Sequence, residues 1–133
     1  MCAIDSCDPS TLWSEKWRTA RKTHRCEECD RIIAVSERYR FVSALTDGHW
    51  SNYRTCAHCA VAGRWLDEVC GGYPSMMLRE ELFEHWLEGF RSIPFGRLVV
   101  GQRLRWHDGR DPIPDAAEVS ELARQMMRAQ VAA

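Results

Sequence analysis

The chain has 133 residues, 45% of them hydrophobic and 28% charged, with a formal net charge of −1. That length suits one modest core or a metal-stapled module with a helical annex, and no apolar run approaches bilayer-spanning length. A near-neutral balance gives no long-range pull toward phosphate, so any nucleic-acid contact must come from a local patch.

Residues 1–23 read as an irregular arm with Cys2, Cys7 and Pro9, in which Trp13 and Trp17 lie four apart on a short helix from about Ser10 or Thr11. Core packing is the expected role of these two and of most of the six tryptophans. The opening Met1-Cys2-Ala3-Ile4-Asp5 carries neither a basic nor an apolar leader pattern, so a reducing, cytoplasmic setting without disulfides is expected. A basic run follows, with Arg18, Arg21, Lys22 and Arg25.

Residues 24–70 hold the dominant motif. Cys26-x-x-Cys29 and Cys56-x-x-Cys59 face each other across twenty-six residues. Two residues between paired cysteines let one tight knuckle present both sulfurs to a single tetrahedral ion, and thiolates select zinc among the common hard and borderline cations. A set of four sulfurs leaves no position for water, so the expected zinc is structural. Between the pairs, Ile32 and Ile33 form a short extended piece. Arg38 to Leu45 is rich in β-branched and aromatic residues, and Asp47-Gly48 signals a two-residue hairpin that returns through His49 to Thr55. Counting outward pairs Leu45 with Trp50, Ser43 with Asn52 and Val42 with Tyr53. After Cys59 the pattern becomes helical, with Val61, Trp65, Leu66 and Val69 on one side. The order knuckle, hairpin, knuckle, helix favours a treble clef over a zinc ribbon, within a small α+β fold.

Residues 71–133 read as a mainly helical part packed on that module as one compact domain. Gly71-Gly72 and Pro74 end the first helix, and Ser75 is placed to cap a second from Met76 to Phe90. Residues 94–106 suit helix or strand. The acidic strip from Asp67 to Glu88 contrasts with the basic segment carrying Arg91, Arg97, Arg103, Arg105 and Arg110. Asp115 caps a last helix to about Ala129, with Val119, Leu122, Ala123 and Met126 facing inward.

Three thiols remain. Cys2, Cys7 and Cys70, with His85, compose a candidate second zinc site, although the Cys2 to Cys7 gap is looser than a knuckle. His24 and His58 read as ordinary hydrogen-bonding residues. An HNH-type nuclease would need two histidines near the hairpin and helix, and only His49 lies between the knuckles; no P-loop, His-Glu-x-x-His or Gly-x-Ser-x-Gly occurs either. The expectation is therefore a non-enzymatic binding protein. Arg18, Arg21, Lys22 and Arg25, with Arg38, Arg40 and Arg54 on the hairpin, form one candidate phosphate-facing patch. Arg97, Arg103 and Arg105 form another candidate contact, and the tryptophan-rich helices offer a protein-docking surface.

Ala20 to Cys29, Glu37-Arg-Tyr39, Asp47-Gly48, Cys56-Ala-His-Cys59, Gly96 to Gly101 and Arg105-Trp106 together resemble a family of small uncharacterised phage and prophage proteins. Ser36 stands where that family commonly has glycine, a tolerable change if the turn is type I. The resemblance implies a phage or mobile-element accessory protein in a bacterial host cell. On that basis the chain is expected to bind and inhibit a host protein or nucleoprotein machine, in the manner of an anti-CRISPR or other counter-defence protein. The alternative is a DNA-binding transcriptional regulator.

Overall fold

A computed structural model describes residues 2–3 and 12–132. A three-stranded antiparallel sheet holds β1 (Leu12–Thr19), β4 (Arg38–Thr46) and β5 (His49–Cys56) in the order β1-β4-β5. A two-stranded ribbon pairs β2 (His24–Arg25) with β3 (Ile32–Ile33) around the first Cys-x-x-Cys knuckle. Helices α1 (Ala57–Cys70), α2 (Leu78–Leu87), α3 (Ile93–Arg103) and α5 (Ala116–Ala132) follow, with one short turn, α4 (Trp106–Gly109), before the last. Among the described residues no helix is long and apolar enough to cross a membrane.

The hairpin forms in the register expected from its turn. Asp47 and Gly48 both take positive φ, at 52° and 78°, matching the twist of a two-residue hairpin, and Leu45↔Trp50, Ser43↔Asn52 and Val42↔Tyr53 face each other. The stretch expected to be an irregular arm with a short helix is instead an edge strand: β1 pairs with β4 along its whole length, from Leu12↔Leu45 to Thr19↔Arg38. Spacing of four puts two residues on one face of a strand as well as of a helix, so Trp13 and Trp17 still share a side. They are exposed, however, as is Trp50, while Trp65 and Trp106 are buried and Trp86 is half-buried. Core packing therefore claims fewer of the tryptophans than composition suggested.

Helix α1 ends on Gly71 at φ 77°, whose N–H returns to the Asp67 carbonyl at 3.0 Å. Ser75 does not cap α2. The Glu28 carboxylate, reaching from the first knuckle, accepts from the Met76 and Leu78 N–H groups, both at 3.0 Å, and takes that role. The ambiguous segment resolves as α3, with Ser92 as its N-cap, accepting from Phe95 N–H, and Pro94 in the first turn. Buried Gln102 on α3 donates to the Glu28 carbonyl at 2.7 Å. One knuckle residue thus ties together two helices. Asp115 caps α5 as expected, accepting from Glu118 N–H at 3.0 Å, and Val119, Leu122 and Ala123 are buried with Met126 packed beside them.

The core centres on Trp65, fully buried, with the Phe95 ring 4.5 Å and the Phe90 ring 5.5 Å from its own. Between α3 and α5 the chain makes a left-handed turn: Arg105, Trp106, His107 and Asp108 take φ of 55°, 54°, 48° and 58°, before Gly109 at 88°. Each non-glycine residue in that region costs roughly 1–2 kcal/mol, so tertiary contacts must hold it. Ser36 also lies at positive φ, 78°. The condition under which serine would replace glycine without strain, a type I turn, is therefore not met, and serine occupies a conformation that glycine favours.

Removing the Glu28 cap by Glu28→Ala is expected to cost about 1–2 kcal/mol in urea unfolding, with α2 fraying in amide exchange. Unchanged protection at Met76 and Leu78 would show that the carboxylate does not hold the helix.

Candidate metal centre

The first knuckle is shaped by backbone hydrogen bonds: Cys26 N–H donates to the Arg31 carbonyl and Asp30 N–H to the Cys26 carbonyl, both at 2.8 Å. Asp30 closes it at φ 70°, a region short polar side chains tolerate. The second pair sits where β5 becomes α1, with Cys56 at the N-cap and Cys59 in the first turn. Negative charge on those sulfurs faces the positive end of the helix dipole.

These two elements bring together the four cysteines that the spacing singled out. Cys26, Cys29, Cys56 and Cys59 are each no more than 1% exposed, all are free thiols, and their Sγ atoms all lie within 4.8 Å of one another. A tetrahedron with Zn–S bonds of about 2.3 Å has S···S edges of about 3.8 Å; Cys29 Sγ and Cys56 Sγ stand 3.9 Å apart. Two donors already point at the sulfurs, Cys56 N–H to Cys26 Sγ at 3.3 Å and Trp106 Nε1–H to Cys59 Sγ at 3.2 Å. Neighbouring sulfurs push the Cys29 thiol up, and burial pushes the Cys59 thiol up. Four thiolates at this spacing require a cation. The quartet can coordinate a metal ion and fits one zinc.

Around it lies a charged brace. Arg31, 2% exposed, makes a two-pronged ion pair with Glu37, Nη2 to Oε1 at 2.8 Å and Nη1 to Oε2 at 3.1 Å, and Nη1 also donates to the Ile32 carbonyl. His58 Nε2–H donates to the Asp111 carbonyl at 2.6 Å, which leaves Nδ1 to accept from Arg31 Nη2 at 3.3 Å. His58 therefore spends both ring nitrogens on hydrogen bonds, and the His24 ring packs tilted against Tyr39, with centroids 5.1 Å apart. His49 sits beside the hairpin turn, at the far end of β5 from Cys56. Gly101 and Gly109 admit the large side chains of this brace: a Cβ on Gly101 would run into the Trp106 ring, and one on Gly109 would lie 2.7 Å from Arg31 Nη1. Nothing in the sequence pattern marked Arg31, Glu37 or Trp106 as supports of the metal site; only the topology brings them there.

The second cluster is partly assembled. Cys2, Cys70 and His85 lie with their ligand atoms within 4.8 Å of one another, while Cys7 falls outside the described residues. Contrary to the expectation of free thiols throughout, Cys2 and Cys70 are joined by a disulfide, because the start of the chain is brought against the last residue of α1.

The arginine candidates separate. On the sheet, register places Lys16, Arg18, Phe41 and Arg54 on one face, and Arg38 and Arg40 on the other, where Arg40 donates to the Tyr73 hydroxyl at 3.4 Å. Arg18 and Arg54 both lie over the Phe41 ring, at 3.8 and 5.3 Å from its centroid. Arg21 and Lys22 are exposed in the link to β2, and partial burial together with the Arg54 and Lys22 charges lowers the pKa of His24. Arg25 is engaged locally by Asp30 at 3.1 Å. Arg97 and Arg103 belong to α3, which packs on α1 and α2, with Arg103 over the Phe83 ring and Arg105 just beyond in the left-handed turn.

No family model, curated protein or solved structure matches this chain. The resemblance to phage and prophage proteins therefore rests on its motifs alone.

Because a structural zinc contributes on the order of 10 kcal/mol of folding free energy, Cys56→Ser or a strong chelator is expected to leave the hairpin and α1 disordered by circular dichroism and amide exchange. Retention of native stability with chelator present would refute the site. The brace gives a pH signature. Burial alone would raise the Glu37 carboxyl, but the Arg31 guanidinium and the Ala34 N–H outweigh it and hold the carboxyl below its ordinary range. Stabilisation by Glu37 is thus complete above the unfolded value of about 4.3 and lost as pH falls through the lower folded value. Glu37→Gln should cost about 2 kcal/mol at pH 7 and progressively less on acidification; a pH-independent difference would exclude the ion pair as the cause.

Proposed function

We propose that this chain is a non-enzymatic module, folded around one structural zinc in treble-clef order, that binds single-stranded nucleic acid across the open face of its sheet. The observation that carries this reading is the composition of that face. Its strand positions hold Lys16, Arg18 and Arg54 around Phe41, with Ser14, Ser43 and Asn52 beside them and Trp50 exposed at one end, and no carboxylate among them. Arg18, exposed and held over the Phe41 ring, is pre-oriented to meet phosphate oxygens, with half-buried Arg54 adding its charge beside it, while exposed aromatic faces accept bases. The charge is local, as a chain of net charge −1 requires.

A phage or mobile-element accessory protein that inhibits a host nucleoprotein machine would use such a face against the nucleic acid of that machine. A second reading, docking on a partner protein, is favoured by an apolar groove of about 770 Å³ lined by Ile93, Val100, Leu104 and Ile113 between α3 and the segment leading into α5. Arg97 stands on the rim of that groove, where it suits a contact with an acidic group of the partner.

Fluorescence anisotropy with labelled oligonucleotides separates these readings. Single strands should bind more tightly than duplex, with log K falling against log salt by roughly 0.7 per phosphate neutralised. The double variant Arg18→Ala/Arg54→Ala should lower that slope by about 1.4 without loss of helicity. No binding at low salt would overturn the nucleic-acid reading and leave the groove as the working surface.

A further inference from the structure

We propose that Cys2, Cys70 and His85 form a second metal site, distinct from the four-cysteine centre, which takes zinc in the reduced chain and is closed by the Cys2–Cys70 disulfide on oxidation. The argument begins with the imidazole. His85 is 2% exposed, and its Nδ1 donates to the Glu81 carbonyl at 2.8 Å. That bond fixes the neutral ring with its proton on Nδ1, so Nε2 presents a lone pair. Nε2 faces Cys70 Sγ at 3.6 Å. A disulfide sulfur carries no proton, so in the oxidised state Cys70 cannot donate to this buried acceptor. A purely structural disulfide has no use for it.

A metal does. Backbone carbonyls that hold one ring nitrogen and orient the other are the usual support of a metal-binding histidine. With Zn–S near 2.3 Å and Zn–N near 2.05 Å, a tetrahedral S···N separation is about 3.6 Å, and Cys70 and His85 already stand at that distance. The Cys2 and Cys70 Cα atoms are 5.3 Å apart. Trp65 packs edge-on against the imidazole, ring centroids 5.0 Å apart, and shields one side from solvent. Two thiolates and one imidazole leave a fourth position for water or an external ligand.

The exchange balances. A cellular thiol or dithiol reductant delivers two electrons and two protons to the S–S bond, giving two cysteine thiols and the oxidised reductant. Zinc then displaces the two thiol protons and binds the thiolates with His85 Nε2. A small-molecule disulfide oxidant reverses this by thiol–disulfide exchange: it accepts the two electrons and, with two protons, leaves as two thiols, while Cys2 and Cys70 re-form their S–S bond and release the ion. In its reduced form the site ties the first residues of the chain to the end of α1 and to α2 through the metal in place of the covalent link.

Zinc stoichiometry on the full chain, measured by native mass spectrometry, tests the proposal. Under dithiol reductant, the wild-type chain should hold one zinc equivalent more than Cys2→Ser, and one more than the oxidised wild type. Cys2→Ser and the oxidised protein should agree. In the same samples, cobalt(II) substitution should add a thiolate-to-cobalt charge-transfer band that Cys2→Ser lacks. Equal zinc content in reduced wild type and Cys2→Ser would overturn the second site whatever the four-cysteine centre holds. Zinc content unchanged by oxidation would overturn the switch.

Discussion

Four sulfurs buried within reach of one another constrain everything else in this chain. Thiolates cannot share so small a volume without a cation, and the elements that deliver them cannot separate while the cation is held. The first pair fixes the β2-β3 ribbon and the second fixes the junction of β5 with α1. The knuckle backbone and Glu28 then reach outward to α2 and α3, so the centre organises helices that contribute no ligand. A 133-residue chain with a modest core would gain from an ion held there: a few strong bonds at one point would supplement the apolar area it can bury.

The charged brace shows how the centre avoids being a weak point. Arg31 is a buried cation beside prospective thiolates, paired on its other side by Glu37 and held in plane by His58. Its positive charge offsets the surplus negative charge that four thiolates leave on a dication. The sheet uses the same residue type differently. Arg18 stays exposed over Phe41, where solvation of the guanidinium is largely kept, while Arg54 beside it is half-buried against the same ring.

What was legible in the sequence follows the range of the interactions involved. The hairpin register, the helix beginning at Cys56-x-x-Cys59 and the Asp115 cap depend on residues within a few positions of one another, and they form as spacing suggested. The strand β1 was misread because its pairing partner β4 lies far along the chain, and a spacing of four between tryptophans is shared by helix and strand. Ser75 was a plausible cap on local grounds, but Glu28 supplied the acceptor from forty-eight residues upstream of Met76. Likewise, Cys70 and His85 could be paired on paper only by residue type; their approach depends on α1 and α2 crossing near Trp65. The strained turn at residues 105–108 left no compositional trace beyond Gly109.

That turn has a consequence for how the molecule reports on its own state. Left-handed backbone over four non-glycine residues persists only while something pulls on it, and the pull comes from Trp106, whose indole is hydrogen-bonded to Cys59 Sγ. The same residues, Trp106, His107 and Asp111, form one wall of the apolar groove below α5. Sulfur chemistry at the centre is thereby linked through one indole to a surface groove: were an ion held by Cys59 released, the Trp106 hydrogen bond would change with the charge on that sulfur, and with it the contact that holds the turn.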